Sequence, residues 1–329
     1  MKEQVLGVPA ENFSQGLFEV EIPELGPKLA GKVRDMWVVG DKRVIVTTDR
    51  QSAFDSIICT IPGKGAVLNS LSAWWFEETR HIAPNHLITV PHPNVMITKQ
   101  AEKVIGVEVV LRRYMARSST KTSVYYNYSQ LGRRNIYGIV FPEGLKANCE
   151  FPMGTILTPT TKSVSGHDEE LTEDQAAEIA NRDGGPGTWG KIKVFGRKLF
   201  EAAHDYHLNR GLILVDTKFE FGLGNNGNLM IIDEIFTPDS SRFWLAANYH
   251  QRFATGENPE SFDKDILRRW LAAAGFTGDG PVPKVPPEVV DQMSTAYKRH
   301  FEMVTEESLP ETEVLPEKIK QAVLQSLSS

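Results

Sequence analysis

The chain has 329 residues, of which 41% are hydrophobic and 24% are charged, and its formal net charge is −6. These values are typical of a globular protein with one or two domains, and they argue against a disordered or a membrane protein. The excess of 42 acidic over 36 basic residues argues against nonspecific binding to nucleic acid.

Neither a membrane nor an oxidising compartment is indicated. The two cysteines, Cys59 and Cys149, are far apart and fit no disulfide framework or zinc motif, so reduced thiols are expected. No run of about 18 apolar residues occurs, and the first residues lack the pattern of a secretory signal. The sequence therefore predicts a cytoplasmic protein.

The first 110 residues are predicted to form a β-rich N-terminal lobe. Residues 30–60 contain short β-rich runs, and two of them, MWVVG and KRVIVTTD, are joined at Gly40-Asp41, which indicates a hairpin. The spacing of apolar residues predicts a helix over 70–81. The runs VMITK and VEVVLRRYM predict two more strands.

Residues 111–260 are predicted to form a central lobe and residues 261–329 a helical C-terminal region. In the central lobe a helix is expected to begin near 171–172, where Thr172 and Gln175 have the spacing of a capping box. A second helix is predicted over 191–209, and further helices over 265–274, 287–305 and 316–326. The mixture of sheet and helix indicates an α+β fold with two lobes.

The run LILVDTKFEFG, which starts at Leu212, is predicted to be a strand with one charged face. Because side chains alternate between the faces of a strand, three charged residues share one face: Asp216, Lys218 and Glu220. The opposite face carries Val215, Thr217, Phe219 and Phe221. Such a pattern also occurs on a solvated sheet face, and that interpretation stays open for the strand alone.

The hairpin that follows makes a metal site the stronger interpretation. Asn226-Gly227 is a strong two-residue turn signal, and a turn there places Glu220 directly opposite Asp233. Directly opposed carboxylates about 5 Å apart repel each other unless a cation lies between them. Mg²⁺ with a nucleotide's phosphates satisfies this requirement, and Lys218 on the same face can neutralise phosphate charge. A bulge at the neighbouring glycines would shift this register.

Two further segments suit a phosphate ligand, although each has a simpler explanation. Gly31-Lys32 precedes a strand, where backbone N–H groups and the lysine can approach phosphate, but it can also be only a turn, as can Gly63-Lys-Gly65. The run TPDSSRFW brings Asp239, Ser241 and Arg242 close together, which suits a phosphate or carboxylate. Its alternative is a Pro-Asp turn that caps a helix.

Together these segments resemble the SAICAR synthetase family. The runs LILVDTKFEFG and DEIFTPDSSRFW resemble its two signature blocks. Other segments that are similar to the family follow in the expected order: GKVRD, DRQSAFD, GKGAVLN, VEVVLRRYMARSS, LTPTTKSVSGHDE and FDKDILRRWL. The resemblance extends from about residue 29 to 301, and residues 305–329 are interpreted as an extension.

The resemblance implies an ATP-dependent ligase of purine biosynthesis. ATP would activate the carboxylate of the ribonucleotide CAIR, and the amine of L-aspartate would then displace phosphate to give SAICAR, with positioning and charge neutralisation supplying most of the rate. It also implies a two-lobed fold related to ATP-grasp proteins and protein kinases, with antiparallel sheets and a nucleotide cleft between the lobes. The expected ligands are ATP, Mg²⁺, CAIR and aspartate, without nucleic acid or membrane.

The resemblance also implies roles for individual residues. Glu220 and Asp233 would hold Mg²⁺, with Lys218 beside them as the catalytic cation. The ATP phosphates would be covered by Gly31, Lys32 and Arg34. The substrate positions would be Arg112, Ser118, Lys162, Asp168, Asp216, Asp239, Ser241 and Arg242, and Asp55 would be a polar wall residue.

Three positions differ from the family pattern. Gly106 stands where a proline is usual, Arg117 precedes Ser118 where glycine is usual, and Arg113 replaces a small or polar residue. The added arginines either reshape the loop on the substrate side or are solvated.

Two alternatives to a ligase remain at this point. A small-molecule kinase would share the nucleotide site but would not need aspartate. A catalytically inactive nucleotide-binding module would typically have lost Lys218, Glu220 or Asp233, and all three are present.

Overall fold

A computed structural model describes residues 7–54, 56–162, 169–262, 264–310 and 313–328. Within these ranges it contains a five-stranded and a seven-stranded antiparallel sheet, two short hairpins and seven α-helices. The five-stranded sheet, called the N-terminal sheet below, has the order β1–β2–β3–β7–β6. Its strands are β1 (Leu29–Ala30), β2 (Arg34–Val39), β3 (Lys42–Thr47), β6 (Leu87–His92) and β7 (Val95–Lys99). The hairpin predicted at Gly40-Asp41 is confirmed, since Val39 pairs with Lys42.

The seven-stranded sheet, called the central sheet below, is built around one long strand. Its strands are β8 (Lys103–Val104), β9 (Val107–Arg112), β12 (Ile156–Leu157), β13 (Thr160–Thr161), β14 (Leu212–Leu223), β15 (Leu229–Ile232) and β16 (Ser241–Leu245). Strand β14 pairs with β8, β9, β15 and β16. The two hairpins are β4 (Arg50–Ala53) with β5 (Ser56–Thr60), and β10 (Asn135–Ile136) with β11 (Ile139–Val140).

The helices cover the sheets, and five of the seven described helices contribute buried side chains to the main hydrophobic core. They are α1 (Lys64–Glu78), α2 (Glu173–Gly184), α3 (Thr188–Leu208), α4 (Ala246–Thr255), α5 (Asp265–Ala273), α6 (Pro287–Thr305) and α7 (Pro316–Ser328). The predicted capping box of α2 is confirmed, with Thr172 Oγ1 accepting from the Gln175 N–H. Helix α4 was not predicted. No described helix is long and apolar enough to span a bilayer.

Helix α1 begins six residues earlier than predicted, in the run GKGAVLN. Gly63 precedes it in the left-handed conformation (φ +83°), which only glycine adopts without strain. Gly65 lies in the first turn, where the helix touches the backbone of Thr47 and the side chain of Asn94. The two glycines therefore allow α1 to start early and to pack closely against the N-terminal sheet.

The last helix packs against the first sheet. Ile319 and Val323 of α7 are fully buried in a cluster with side chains of the N-terminal sheet and of the segment before it: Leu17, Val20, Ile22, Trp37, Val44, Val46, Val95 and Ile97. Lys320 forms an ion pair with Glu24 at 2.6 Å. Residues 313–328 of the predicted extension are thus part of the folded core, which the sequence did not indicate.

Strand β14 contains a bulge that changes which face its residues occupy. Its pairing with β16 shifts between Leu214 and Asp216. Before the bulge, Leu214 lies in the main core and Val215 packs with Trp244; after it, Phe219 and Phe221 lie in the main core. The prediction that Val215 shares a face with Phe219 is therefore wrong, because a bulge adds one residue and reverses the alternation.

The register predicted for the β14–β15 hairpin is also wrong by one residue. Glu220 pairs with Ile232, not with Asp233. A two-residue type I′ turn needs positive φ at both central residues, whereas only Gly227 of this loop has it (φ +71°). The loop closes instead through hydrogen bonds from Gly224 N to Asn228 O (3.0 Å) and from Gly227 N to Gly224 O (2.8 Å). Asp233 consequently falls just beyond the last pair of the ladder.

Candidate active site

The charged face of β14 carries a cluster in which two lysines share one carboxylate. Lys218 and Lys162 both contact the side chain of Glu220, and Lys218 Nζ also lies 2.9 Å from Glu108 Oε1 on the neighbouring strand β9. Burial opposes the positive charge of Lys218, but Glu220, Asp233 and Glu108 outweigh it and raise the pKa of its ammonium group. Lys218 therefore remains a fixed cation.

Asp233 directly follows β15, and its charge acts on Lys218 of this cluster. It has φ +70°, a left-handed conformation that aspartate tolerates better than most residues and that ends the strand. Its carboxylate contacts Arg34, and Arg34 Nη2 also lies 2.8 Å from Glu234 Oε1. Burial disfavours the charge of Asp233, but Arg34, Lys218 and Lys162 together hold the pKa of this carboxyl below its usual value.

Glu220 and Asp233 are related differently from the predicted pairing. They are not opposed across the ladder: Lys162 and Lys218 contact Glu220, and the charges of the same two lysines act on Asp233. In the described part of the chain, no group of three or more His, Cys, Asp or Glu side chains could hold a metal by itself. Two carboxylates suit Mg²⁺, which typically takes one or two protein carboxylates and completes its shell with phosphate and water oxygens.

The Gly31-Lys32 turn lies beside this cluster, at the start of β2. Gly31 N donates to Arg34 O (2.8 Å), which closes the turn. The fully buried Arg50 supports it by donating to Gly31 O (3.0 Å) and Lys32 O (3.2 Å). Lys32 is exposed at the tip of this turn, so its position is compatible with covering a nucleotide's phosphates.

A second set of predicted residues lines a polar recess of about 120 Å³ next to the cluster. Asp216 lies between two arginines, with its Oδ2 3.4 Å from both Arg112 Nη1 and Arg242 Nη1. Ser241 Oγ hydrogen-bonds Thr217 Oγ1 at 2.7 Å. The walls of the recess are Asp216, Pro238, Asp239, Ser240, Ser241, Arg242, Lys264 and Arg268. Four cationic groups thus lie in or beside a recess of a size that suits a phosphate or a carboxylate.

Asp239 forms the centre of a buried ion cluster behind this recess. Its carboxylate lies 2.9 Å from Lys64 Nζ and 3.1 Å from Lys264 Nζ, and it accepts a hydrogen bond from the Tyr297 hydroxyl at 2.8 Å. Burial opposes ionisation, but Lys264 and Lys64 overcome it and keep the pKa of Asp239 below its usual value. The run TPDSSRFW leads into strand β16, so its alternative interpretation as the cap of a helix is wrong.

The remaining residues singled out in the sequence either make no contact with the cluster or the recess, or lie outside the described residues. Ser118 lies in the segment after β9, where its Oγ accepts from Thr120 N at 3.2 Å, and the structure gives it no contact with the cluster or the recess. Arg113 turns away from the recess to Glu150 and Glu201, and Arg117 is exposed. Asp168 and Asp55 lie outside the described residues.

Five site residues were not predicted. Glu108 and Glu234 contact the basic groups of the cluster, Lys64 anchors Asp239, and Lys264 and Arg268 line the recess. Strand alternation could have identified Glu108, which shares a face with Arg112 on β9. Helical spacing could have identified Lys264 and Arg268, which are four residues apart at the start of α5. Nothing in the local sequence signals that Lys64 is buried.

Comparisons with known proteins point to one family over most of the chain. The family model of SAICAR synthetase matches residues 28–283. The phosphoribosylaminoimidazole-succinocarboxamide synthase of Legionella pneumophila (strain Paris) is 42% identical over 293 residues, which are 89% of this chain and 91% of that protein.

Two solved structures are similar to most of the fold. The SAICAR synthase of Saccharomyces cerevisiae complexed with SAICAR superposes with a TM-score of 0.75 and 32% identity, covering 90% of this chain and all of that one. A SAICAR synthetase solved in complex with ADP superposes with a TM-score of 0.64 and 26% identity, covering 87% of this chain and all of that one.

Proposed function

Since the chain belongs to the SAICAR synthetase family and carries out that family's ligase reaction in purine biosynthesis, we propose that it joins L-aspartate to the carboxylate of CAIR with cleavage of ATP. CAIR is 5-amino-1-(5-phospho-D-ribosyl)imidazole-4-carboxylate, and the products are SAICAR, ADP and phosphate. The observation that carries this proposal is the cluster of Glu220, Lys218 and Lys162 on the charged face of β14, whose lysines also act electrostatically on Asp233. Such a cluster suits a metal-bound polyphosphate.

Each part of the site has a proposed role. Glu220 and Asp233 hold Mg²⁺, which when bound neutralises phosphate charge and orients the nucleotide. Lys218, fixed between Glu220 and Glu108, provides a positive charge where phosphate is transferred. Gly31, Lys32 and Arg34 lie over the nucleotide phosphates.

The recess takes the ribonucleotide in this proposal. Arg112 and Arg242, with Lys264 and Arg268, bind its phosphate or carboxylate, and Ser241 adds a hydroxyl. Asp216 orients the two arginines, and Asp239 positions Lys264 from behind. Lys162 neutralises a substrate carboxylate, and Ser118 and Asp168 complete the pocket when substrate is bound.

We further propose that the N-terminal and central sheets form the two lobes of a nucleotide cleft, in an architecture related to ATP-grasp proteins and protein kinases. The lobes would comprise residues 1–110 and 111–260, followed by the helical region 261–329. Strands β8 and β9 already belong to the central sheet, which supports placing the first boundary nearer residue 100. We propose that the enzyme acts in the cytoplasm.

The decisive experiment is an assay of ADP release in which ATP, CAIR and aspartate are omitted one at a time. A ligase releases ADP in multiple turnovers only when all three are present. A small-molecule kinase would continue without aspartate, and an inactive binding module would release none. Multiple-turnover ADP release in the absence of aspartate would therefore contradict the proposal.

A further inference from the structure

We propose that Arg34 keeps the metal site closed in the absence of nucleotide, so that the metal enters together with the nucleotide rather than before it. In this inference, which rests on the proposed function, Arg34 is a positioning residue that moves from Asp233 and Glu234 to the nucleotide's phosphates. We infer this from the ion pairs within the site.

The carboxylates at the proposed metal site are already neutralised by the chain's own cations. Glu220 is contacted by Lys162 and Lys218, while Asp233 and Glu234 are contacted by Arg34. A free divalent ion must displace these cations before it can bind both Glu220 and Asp233. Hydrogen bonds between charged groups are the strong ones, so this displacement opposes the binding of a bare ion.

Among these cations, Arg34 is the one best placed to keep the metal site closed. Its guanidinium bridges two consecutive acidic residues through different nitrogen atoms, and its side chain is only 13% exposed. Arg34 lies on β2 of the N-terminal sheet, whereas Asp233 and Glu234 follow β15 of the central sheet. The contact therefore joins the two sheets at the site itself.

Arg34 is also within reach of its second proposed partner. Its carbonyl oxygen accepts the hydrogen bond that closes the Gly31-Lys32 turn, which we propose covers the phosphates. A guanidinium fork matches phosphate oxygens as well as it matches carboxylates. Phosphates arriving with a metal ion thus offer Arg34 a replacement partner and release Asp233 at the same time, which a bare ion cannot do.

The test is a titration with Mn²⁺, followed by electron paramagnetic resonance, in the absence of nucleotide. Wild type should bind Mn²⁺ weakly at this site, and Arg34→Gln should bind it at least about tenfold more tightly, a difference of about 1.4 kcal/mol. Arg34→Lys, which keeps the charge but loses the fork, should show a smaller gain. The matched control is Arg43→Gln, because Arg43 lies on the same sheet as Arg34 but donates to Gln100 instead of to the site. This variant should bind Mn²⁺ as wild type does.

A second variant shows where any gain arises. In Arg34→Gln combined with Asp233→Asn the added Mn²⁺ affinity should disappear. The proposal is overturned if Arg34→Gln binds Mn²⁺ no more tightly than wild type while its circular dichroism is unchanged. It is equally overturned if the gain persists without the Asp233 carboxylate.

Failure of the underlying metal site has a different signature. With ADP present, Asp233→Asn alone should weaken Mn²⁺ binding if Asp233 is a metal ligand. Unchanged Mn²⁺ affinity of that ADP complex would remove Asp233 from the proposed metal site, whereas the ligase reaction itself is tested by the ADP-release assay. Weakened affinity there, combined with no gain in Arg34→Gln, would overturn only the role of Arg34.

Discussion

At the scale of single residues, Gly65 shows that a motif glycine can serve packing rather than phosphate binding. A Cβ atom at this position would overlap the carbonyl oxygen of Thr47 and lie 2.6 Å from Asn94 Nδ2. Asn94 Nδ2 itself donates to Thr47 O (2.9 Å), so neither neighbour is free to move away. The glycine is therefore needed for α1 to approach the N-terminal sheet.

We expect Gly65→Ala to destabilise the protein by about 1–3 kcal/mol, the usual effect of overpacking. Gly190→Ala is the matched control, because Gly190 lies inside helix α3 and a Cβ there meets nothing within 4 Å. That control should be neutral or stabilising by up to about 1 kcal/mol. Urea unfolding measures both, and equal stability of the two variants would contradict the close contact.

Substitution of the two proposed metal ligands tests the proposed metal site directly. Glu220→Gln and Asp233→Asn keep the size of each side chain but remove one negative charge. We expect each to lower kcat by about 10²-fold or more, because charge stabilisation in the transition state is lost. Both should also need more Mg²⁺ for half-maximal rate.

A Mg²⁺ titration of steady-state ADP release checks this prediction. Glu201→Gln, whose side chain pairs with Arg113 away from the recess, is the matched control and should keep wild-type Mg²⁺ dependence. Near-normal turnover in either site variant would show that its carboxylate does not hold the metal.

At the scale of elements, the sequence predicted most of the helices and several of the longer strands, but not their alignment with one another. The capping box of α2 and the Gly40-Asp41 hairpin were predictable because their signals are local. The bulge in β14 and the one-residue shift opposite β15 were not, because pairing with neighbouring strands and the loop conformation determine them. The contact of Glu220 with Lys218 was predictable, because both residues lie on the charged face of β14 whatever the register opposite β15. The shared metal role of Glu220 and Asp233 stays a prediction.

Helix α7 is the element whose importance for the fold the sequence indicated least. Its buried residues cover the N-terminal sheet, so Ile319→Ala should destabilise the protein by about 2–5 kcal/mol. Gln321→Ala, on the exposed side of the same helix, should change stability by less than about 0.5 kcal/mol. Thermal unfolding monitored by tryptophan fluorescence distinguishes them, because Trp37 lies in the same cluster. Equal behaviour of the two variants would mean that α7 contributes little to the sheet.

At the scale of the whole molecule, buried neutral histidines should control stability around neutral pH. Burial lowers the pKa of His207 and of His86 to about 3, and it also lowers the pKa of His300 well below its usual value. These rings stay neutral in the folded protein but accept a proton in the unfolded chain below about pH 6.5. Their contribution to stability is therefore complete above pH 6.5 and is lost as the pH falls from there towards 3.

We expect the free energy of unfolding to fall by about 1.4 kcal/mol for each such histidine between pH 7.5 and 5.5. Urea unfolding at the two values measures the difference. His207→Gln should reduce this difference in unfolding free energy between the two pH values. His250→Gln, at an exposed position, should leave the difference unchanged. Asp233 and Asp239, whose carboxyl pKa values are lowered, act only at more acidic pH. An unchanged difference in His207→Gln would contradict this explanation.

The position of α7 has a consequence for synthesis on the ribosome. The strands of the N-terminal sheet emerge well before Ile319 and Val323, which cover them. Until α7 has emerged, Trp37, Val44 and Ile97 lack that cover, and nascent chains with such exposed apolar strands are prone to association. We therefore expect the growing chain to depend on chaperones until α7 has left the ribosome.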